Sequence, residues 1–169
     1  MWKEKYSEEE WKERLDKWVE ILKGIELVGT YAGILHVNND SFADAVKDEG
    51  ITLLYGRDYF TEELLGLEFK VSPFSFFQNN SRGAEILYSK VIEFLRIKEG
   101  TKPVVYDLYT GTGTIAQLIS KATSKTIGVE IVEEAVEAAI ESAKRNGIGN
   151  CEFIAGDVLK CLDDIDTLP

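Results

Sequence analysis

The sequence contains few of the residues from which metal sites and disulfide frameworks are built. Of its 169 residues, two are cysteines and one is a histidine. Cys151 and Cys161 are ten positions apart, and His36 lies far from both. This spacing does not match a zinc site or a disulfide-stabilised scaffold. We therefore expect no bound metal and two reduced thiols without a functional role.

Long apolar runs and an excess of positive charge are also absent. No apolar run approaches the roughly 20 residues that cross a bilayer, and the N-terminal Met-Trp-Lys-Glu-Lys lacks the apolar core of a signal peptide. We therefore expect a soluble, cytoplasmic protein without a membrane partner. The 19 Lys and Arg residues are outnumbered by 30 Asp and Glu residues, giving a net charge of −11. Any contact with nucleic acid must therefore be local or lie outside this chain.

Three segments with different sequence patterns follow one another along the chain. Residues 1–24 predict an amphipathic helix that begins with a capping box formed by Ser7 and Glu10. Residues 25–80 predict a small antiparallel β segment, because short β-prone runs alternate there with turn residues. Residues 81–169 begin with a helix capped by Ser81 and continue as alternating strands and helices.

The first helix carries two tryptophans, Trp11 and Trp18, on one helical stripe. We expect both of them to pack on the β segment that follows. An exposed stripe that binds a partner protein is the alternative interpretation.

The alternation of strands and helices after residue 100 indicates the fold class. Apolar runs predict strands at 104–108, 126–129 and 151–154, and the periodicity between them predicts helices at 114–122 and 133–146. Strands and helices in this β-α-β-α-β order form a parallel sheet with right-handed crossovers. The chain is therefore predicted to be an α/β protein containing part of a Rossmann-like sheet.

A glycine-rich turn follows the first of these strands. Asp107 stands near the end of the strand, and Gly111 and Gly113 allow the backbone to approach a ligand closely. Gly111-x-Gly113-x-x-Ala116 also satisfies the loose dinucleotide fingerprint, which is a weak signal by itself. A carboxylate at position 107 would repel a pyrophosphate, but it can favour the ammonium and sulfonium of S-adenosylmethionine. The turn therefore favours S-adenosylmethionine over NAD.

Two further acids follow the next two strands. Glu130 can accept hydrogen bonds from both hydroxyls of a ribose, and Asp157 can accept one from an adenine amino group. Each acid also has a purely structural interpretation: Asp107 as a helix cap or turn former, Glu130 as a first-turn helix acid, and Asp157 as a helix cap. Their joint occurrence at three successive strand ends favours a nucleotide-cofactor site.

The sequence resembles the uracil-5 RNA methyltransferases, which act on ribosomal and transfer RNA. The resemblance rests on Ser72-Pro73-x-Ser75-Phe76-Phe77-Gln78-x-Asn80, on Asp107-Leu108-Tyr109-x-Gly111-x-Gly113-Thr114, and on Gly128-Val129-Glu130. It implies a class I methyltransferase fold that binds S-adenosylmethionine and its product S-adenosylhomocysteine. It also implies that Gln78, Tyr109, Thr114, Glu130 and Asp157 contact the cofactor. For Gln78 the alternative is a buried amide that ties the β segment to the sheet.

In this family the catalytic residues lie C-terminal to the part that the resemblance covers. A cysteine adds to carbon 6 of the uracil, the methyl group passes to carbon 5, and a carboxylate removes the proton. The family's cysteine follows an Asp-Pro-Pro-Arg motif that is not found before Pro169. The resemblance thus implies a cofactor-binding fragment that contains no catalytic residue and is inactive alone, without the family's N-terminal RNA-binding barrel. Neither Cys151 nor Cys161 stands in the nucleophile's sequence context.

Such a partial sheet would leave the strand at 104–108 with an open edge. We expect the chain to self-associate through that edge or to cover it with its N-terminal segment. The leading functional hypothesis is the cofactor half of an RNA methyltransferase, with ribosomal or transfer RNA as the partner of the complete enzyme. A methyltransferase with another substrate, an NAD-type module and a noncatalytic interaction domain remain alternatives.

Overall fold

The computed structural model describes residues 6–38, 50–73 and 75–165, with the side chains of residues 163 and 164 left aside. The chain divides into two compact units, one containing residues 1–60 and 72–74 and the other containing residues 61–71 and 75–169. The segment boundaries expected after residues 24 and 80 follow changes in composition, and they stay predictions.

The first unit begins with helix α1 (Glu8–Lys23). The predicted capping box is confirmed: the Glu10 amide donates to the Ser7 hydroxyl at 3.2 Å, and the Ser7 amide donates to the Glu10 carboxylate at 2.8 Å. The helix ends at Gly24, whose amide donates to the carbonyl of Glu20 at 3.0 Å. At the other end of the helix, the capping box satisfies two of the amides that a helix N-terminus leaves unpaired.

Two antiparallel strands accompany this helix, β1 (Gly33–Val37) and β2 (Ile51–Gly56). The antiparallel pairing expected for this segment is confirmed. Of the turn residues Asn38-Asn39-Asp40 that follow β1, the last two lie outside the described residues. Trp11 packs edge-on against His36 of β1, with 5.7 Å between ring centroids. Trp18 is 55% exposed, whereas its neighbour Val19 is the buried residue of the helix. The packing prediction is therefore correct for Trp11 and wrong for Trp18.

The second unit begins with a hairpin, which lies within the segment expected to be antiparallel β, although its first strand was not predicted. Strands β3 (Phe60–Leu64) and β4 (Leu67–Val71) form a two-stranded sheet. Leu65 and Gly66 connect them, both with positive φ, as the common two-residue hairpin turn requires. The residues of β4 alternate between buried and exposed, so one face of the hairpin faces the core.

Helix α2 (Ser81–Phe94) follows the hairpin. Its cap is Asn80 rather than the predicted Ser81, because the Asn80 side chain accepts from the Gly83 amide at 2.9 Å. Ser81 becomes the first helical residue, and its hydroxyl donates to the carboxylate of Glu62 on β3. Asn and Ser are almost equally good caps, so the sequence alone does not separate the two positions.

The predicted parallel sheet is confirmed. It contains β5 (Val104–Leu108), β6 (Lys125–Glu130) and β7 (Cys151–Ala155) in the order β5-β6-β7, and both pairings are parallel. The helices of this part are α3 (Thr114–Ile119), α4 (Glu133–Arg145) and α5 (Val158–Asp164). The predicted helix over 114–122 finishes as a turn of 3-10 helix at Ser120–Ala122.

Helices cover both faces of this sheet. On one face, residues of α3 and α4 approach Gly128 and Phe153. On the other face, α5 packs Val158 and Leu162 against the sheet core around Ile127 and Val129. The hairpin, α2 and α3 share a separate apolar cluster that consists of Leu64, Leu67, Phe69, Ala84, Tyr88 and Leu118. No helix among the described residues is long and apolar enough to cross a membrane.

Candidate cofactor site

The loop after β5 has a constrained backbone. Tyr109, Gly111 and Gly113 all have positive φ, at 63°, 56° and 73°. The Thr110 amide donates to the carbonyl of Val129 at 3.0 Å, which fixes the loop to the end of β6. A left-handed conformation costs a residue with a Cβ about 1–2 kcal/mol. The fold therefore holds Tyr109 in a strained conformation with its side chain 72% exposed, a combination that is typical of functional loops.

Asp107 joins this loop to helix α3. Its Oδ2 accepts from the Thr110 hydroxyl at 2.6 Å and from the Ala116 amide at 2.9 Å. Gly113, the N-cap residue of α3, has no side chain to offer, so Asp107 supplies the cap from the strand. Burial raises the pKa of the Asp107 carboxyl, against the effect of the two donated hydrogen bonds. The interpretation of Asp107 as a helix cap is thus confirmed, although Asp107 lies on β5 and not at the first residues of α3.

Glu130 is held at the end of β6 by three backbone amides. Its Oε2 accepts from Gly111 at 3.0 Å, and its Oε1 accepts from Ile131 and Val132 at 2.9 and 3.0 Å. The carboxylate therefore spans the glycine loop and the start of α4. The Glu130 carbonyl also accepts from the Gly156 amide at 2.8 Å, which brings the end of β7 to the same edge of the sheet.

Asp157 lies at this third strand end as the N-cap of α5. Its Oδ1 accepts from the Leu159 and Lys160 amides at 3.0 and 3.3 Å, so the predicted cap is confirmed. Within the described part of the chain, no donor is recorded for its Oδ2, and the residue is exposed. That oxygen can accept a hydrogen bond from a ligand while the other oxygen maintains the cap.

The two glycines of the loop have different surroundings. A Cβ at Gly113 would lie 2.6 Å from the Phe153 ring and 2.9 Å from Ala139, whereas a Cβ at Gly111 would meet nothing within 4 Å. Gly128 approaches the Phe153 ring as closely as Gly113 does. The expected close approach of a ligand thus has room at Gly111, while Gly113 admits an internal aromatic ring. The sequence analysis did not predict that Phe153 packs against these glycines. An aromatic residue that pairs with a glycine on the neighbouring strand, as Phe153 does with Gly128, is a signal that could have indicated it.

Together these residues form an acidic, hydrogen-bond-accepting rim at the carboxyl ends of β5, β6 and β7. Such a rim disfavours a pyrophosphate and suits ribose hydroxyls, an adenine amino group and a positively charged methionine part. The chemistry of these acceptors therefore fits S-adenosylmethionine.

Comparison with known proteins gives a consistent result. A family model described as a methyltransferase domain matches residues 99–167, which contain the loop and all three strand ends. An uncharacterized RNA methyltransferase of Clostridium acetobutylicum is 55% identical over 155 residues, which are 92% of this chain and 34% of that protein. The tRNA (uracil-5-)-methyltransferase homolog B of Pongo abelii is 44% identical over 65% of this chain and 22% of its own length. The chain is a relative of the RNA (uracil-5-)-methyltransferases.

A solved structure extends this result to the fold. The tRNA (uracil-54, C5)-methyltransferase of Pyrococcus abyssi, crystallised with S-adenosyl-L-homocysteine, matches 76% of this chain and 31% of its own with a TM-score of 0.60 and 28% identity. The chain thus spans about a third of the length of the RNA methyltransferases that it matches. The resemblance found in the sequence and the predicted fold are both confirmed.

The RNA (uracil-5-)-methyltransferase resemblance also assigned Thr114 and Gln78 to the cofactor. Thr114 is the half-buried first residue of α3. Gln78 is half-buried between β4 and α2, and no hydrogen bond of its amide is recorded with the described residues, so the alternative interpretation of a tie to the sheet is not observed. Its neighbour Phe77 packs on Phe69, with 6.3 Å between ring centroids. The cofactor role of both residues stays a prediction.

The two cysteines lack the features of an RNA (uracil-5-)-methyltransferase nucleophile. The Cys151 thiol donates to the Ala116 carbonyl at 3.4 Å, and burial raises its pKa to about 11. A thiol with so high a pKa is almost entirely protonated near neutral pH and therefore unreactive. Cys161 packs under the sheet with the residues of α5.

A polar network behind the site was also missed by sequence reasoning. The Asn146 amide group accepts from the Glu68 amide at 2.9 Å and donates to the Glu68 carbonyl at 3.0 Å. Its nitrogen also donates to the fully buried Gln117 of α3 at 3.1 Å, and Ser142 donates to the same Gln117 oxygen. The hairpin is thereby fixed to the helices that follow the cofactor loop.

Proposed function

We propose that this chain is the S-adenosylmethionine-binding part of a cytoplasmic enzyme that methylates carbon 5 of a uridine in ribosomal or transfer RNA. The observation that carries the proposal is the hydrogen bond between Glu130 and the Gly111 amide, with open space above Gly111. This arrangement places a fixed carboxylate beside the one loop glycine that a ligand can approach.

Each acid of the rim has a distinct part in this proposal. Glu130 accepts from the ribose hydroxyls, and the free oxygen of Asp157 accepts from the adenine amino group. Asp107 contributes negative charge below the methionine part, and the exposed Tyr109 covers the bound cofactor. Gln78 and Thr114 complete the binding site according to the family resemblance. The bound cofactor supplies the methyl group.

The family resemblance assigns the step on the RNA to a cysteine and a base that lie C-terminal to the matched part. Cys151 does not suit the role of nucleophile, because it is buried and protonated. We expect no methyl transfer from this chain alone. RNA bound by the whole enzyme would present the flipped uridine to the carboxyl edge of the sheet.

Calorimetric titration with S-adenosylmethionine, S-adenosylhomocysteine and NAD tests the cofactor assignment. The first two should bind and NAD should not. Asp157→Asn retains the helix cap, since Asn caps as well as Asp, but it replaces the free oxygen with a donor. The affinity for S-adenosylmethionine should therefore fall roughly tenfold, because a hydrogen bond to a charged group contributes about 1.5 kcal/mol or more.

The matched control is Glu137→Gln, which removes one exposed carboxylate from α4 outside the rim. It should leave the affinity for S-adenosylmethionine unchanged. Binding of NAD in preference to S-adenosylmethionine would contradict the cofactor assignment. Equal weakening by both variants would show that Asp157 acts only through overall charge.

The edge of β5 supports a further expectation of self-association. Among the described strands, β5 pairs with β6 and lies at the edge of the parallel sheet, and an edge strand can serve as a template for pairing with another chain. We propose that two copies of the chain associate through this edge. Light scattering of the purified chain should show a dimer at micromolar concentration, and a monomer over that range would refute the proposal.

A further inference from the structure

A concave surface lies within the same unit as the glycine loop. It is found at the amino ends of strands β5 and β6, whereas the loop lies at their carboxyl ends. It has a volume of about 480 Å³ and is formed by the end of α2, residues 95–102 and the 3-10 turn after α3. The Ser124 amide donates to the Pro103 carbonyl at 3.0 Å, which places that turn beside the start of β5. The five residues of β5, roughly 17 Å of strand, separate this surface from the loop.

Four basic side chains line this surface, which we call the basic groove: Arg96, Lys98, Lys102 and Lys121. Within the described part of the chain, none of the four forms a recorded ion pair. The groove also contains Glu93 and Glu99, so its formal charge is four minus two, or +2, in a chain whose net charge is −11. Glu93 is already paired with Lys90 at 2.5 Å outside the groove.

The backbone at Arg96 supports a role for this side chain. Arg96 follows the last turn of α2 with a φ of 47°, in the left-handed position where glycine is the usual residue. An arginine there costs conformational energy that a glycine would avoid. Ile92 and Ile97 add an apolar lining between the charges. The groove thus presents cations without ion pairs among the described residues, which is the feature that attracts the phosphates of a single-stranded RNA.

We propose that the basic groove binds backbone phosphates of the RNA substrate, at a distance from the base that is methylated. The proposal rests on the proposed function, since it assigns the RNA partner to a surface of this chain. It also explains how an acidic chain can contact RNA, because the contact is local and electrostatic. An alternative role of these cations is to neutralise the C-terminal ends of α2 and of the 3-10 turn.

The test measures binding of a fluorescently labelled single-stranded RNA 20-mer by anisotropy, over a range of salt concentrations. Each lost phosphate contact lowers the slope of log affinity against log salt by about 0.7 for a single strand. Lys102→Ala/Lys121→Ala should therefore lower the slope by about 1.4 and weaken binding. The control, Lys12→Ala/Lys17→Ala, removes the same charge from exposed positions of α1 and should leave the slope unchanged.

Arg96→Gly separates RNA binding from helix capping. It should weaken RNA binding like the lysine variants and yet raise the melting temperature by about 2–4 °C, because it relieves the left-handed conformation. A purely dipole-neutralising arginine would give no loss of RNA binding. Equal salt slopes for the groove variant and its control would likewise overturn the proposal.

Inorganic pyrophosphate distinguishes an RNA strand from a free anion. It should compete with the RNA only at millimolar concentration, and tight pyrophosphate binding without RNA binding would overturn the assignment to RNA. Titration of S-adenosylmethionine into each variant keeps the two proposals apart. Retained cofactor binding with no RNA binding by the unmodified chain refutes the groove alone, whereas absent cofactor binding refutes the proposed function.

Discussion

The two ends of the parallel sheet carry side chains of opposite charge, and these side chains differ in how they contact the rest of the fold. At the carboxyl ends, Asp107, Glu130 and Asp157 each accept hydrogen bonds from backbone amides. At the amino ends, the cations of the basic groove project from a loop and a 3-10 turn without recorded ion pairs in the described part of the chain. Replacing an acid that also maintains the fold with alanine should lower the free energy of unfolding, whereas replacing a cation of the exposed groove should hardly change it. Stability measurements should therefore distinguish the two ends.

The largest effect is expected at Gly113. Gly113→Ala introduces a Cβ at a φ of 73° and 2.6 Å from the Phe153 ring. The left-handed conformation and the overpacking together should lower the free energy of unfolding by about 3 kcal/mol. Gly111→Ala meets open space and should cost only about 1 kcal/mol. Urea denaturation followed by circular dichroism measures both, and equal losses would show that Phe153 does not restrict this loop.

Asp107 should give the next largest effect. Asp107→Ala leaves the Ala116 amide of α3 without its acceptor, which should cost about 2 kcal/mol of unfolding free energy. Asp107→Asn can keep both hydrogen bonds, because a single oxygen accepts them. Its stability at pH 7 should equal or exceed that of the unmodified chain, while its affinity for S-adenosylmethionine falls. Similar losses of stability in both variants would mean that the charge itself is required for folding.

The raised pKa of the Asp107 carboxyl implies that the stability of the chain depends on pH. Because burial raises the pKa of Asp107 above its ordinary 3.8, the folded state retains this proton at pH values where the unfolded chain has released it. The contribution of Asp107 to stability is therefore present below pH 3.8 and is lost as the pH rises through the folded-state pKa. Asp107→Asn should gain stability relative to the unmodified chain over that range. A constant difference from pH 3 to pH 7 would refute this.

The smallest effect is expected at the amino ends. Lys102→Ala/Lys121→Ala removes two groove cations that form no recorded ion pair within the described residues. The free energy of unfolding should change by less than about 0.5 kcal/mol, as for most surface substitutions. A loss above 1 kcal/mol in the same denaturation experiment would mean that these lysines maintain the fold, and the contrast between the two ends would disappear.

The parallel sheet could be predicted because its strands are runs of mainly apolar residues. Val104–Leu108 was identified with its observed bounds, and Cys151–Ile154 missed only the final residue. Strand β3 was missed since its residues, Phe-Thr-Glu-Glu-Leu, do not alternate in hydrophobicity and its turn begins with Leu65 instead of a turn former. Local sequence therefore predicts a strand well where apolar residues dominate its composition.

The site was predicted less completely than the sheet. Spacing along the chain placed three acids at three strand ends, because successive parallel strands end at the same edge. Spacing does not show where each carboxylate oxygen points, so the internal hydrogen bonds of Asp107 and Glu130 could not be foreseen. The left-handed conformation of Arg96 was equally hidden, since sequence patterns associate that position with glycine.

The paired hydrogen bonds between Asn146 and Glu68 have a consequence for the order of folding. They join positions 78 residues apart, so they form only after the intervening chain has organised and helix α4 has been built. The Glu68 amide is therefore a natural kinetic reporter: its protection from hydrogen exchange marks the moment when the hairpin docks onto the end of helix α4. One backbone proton would date this long-range assembly step.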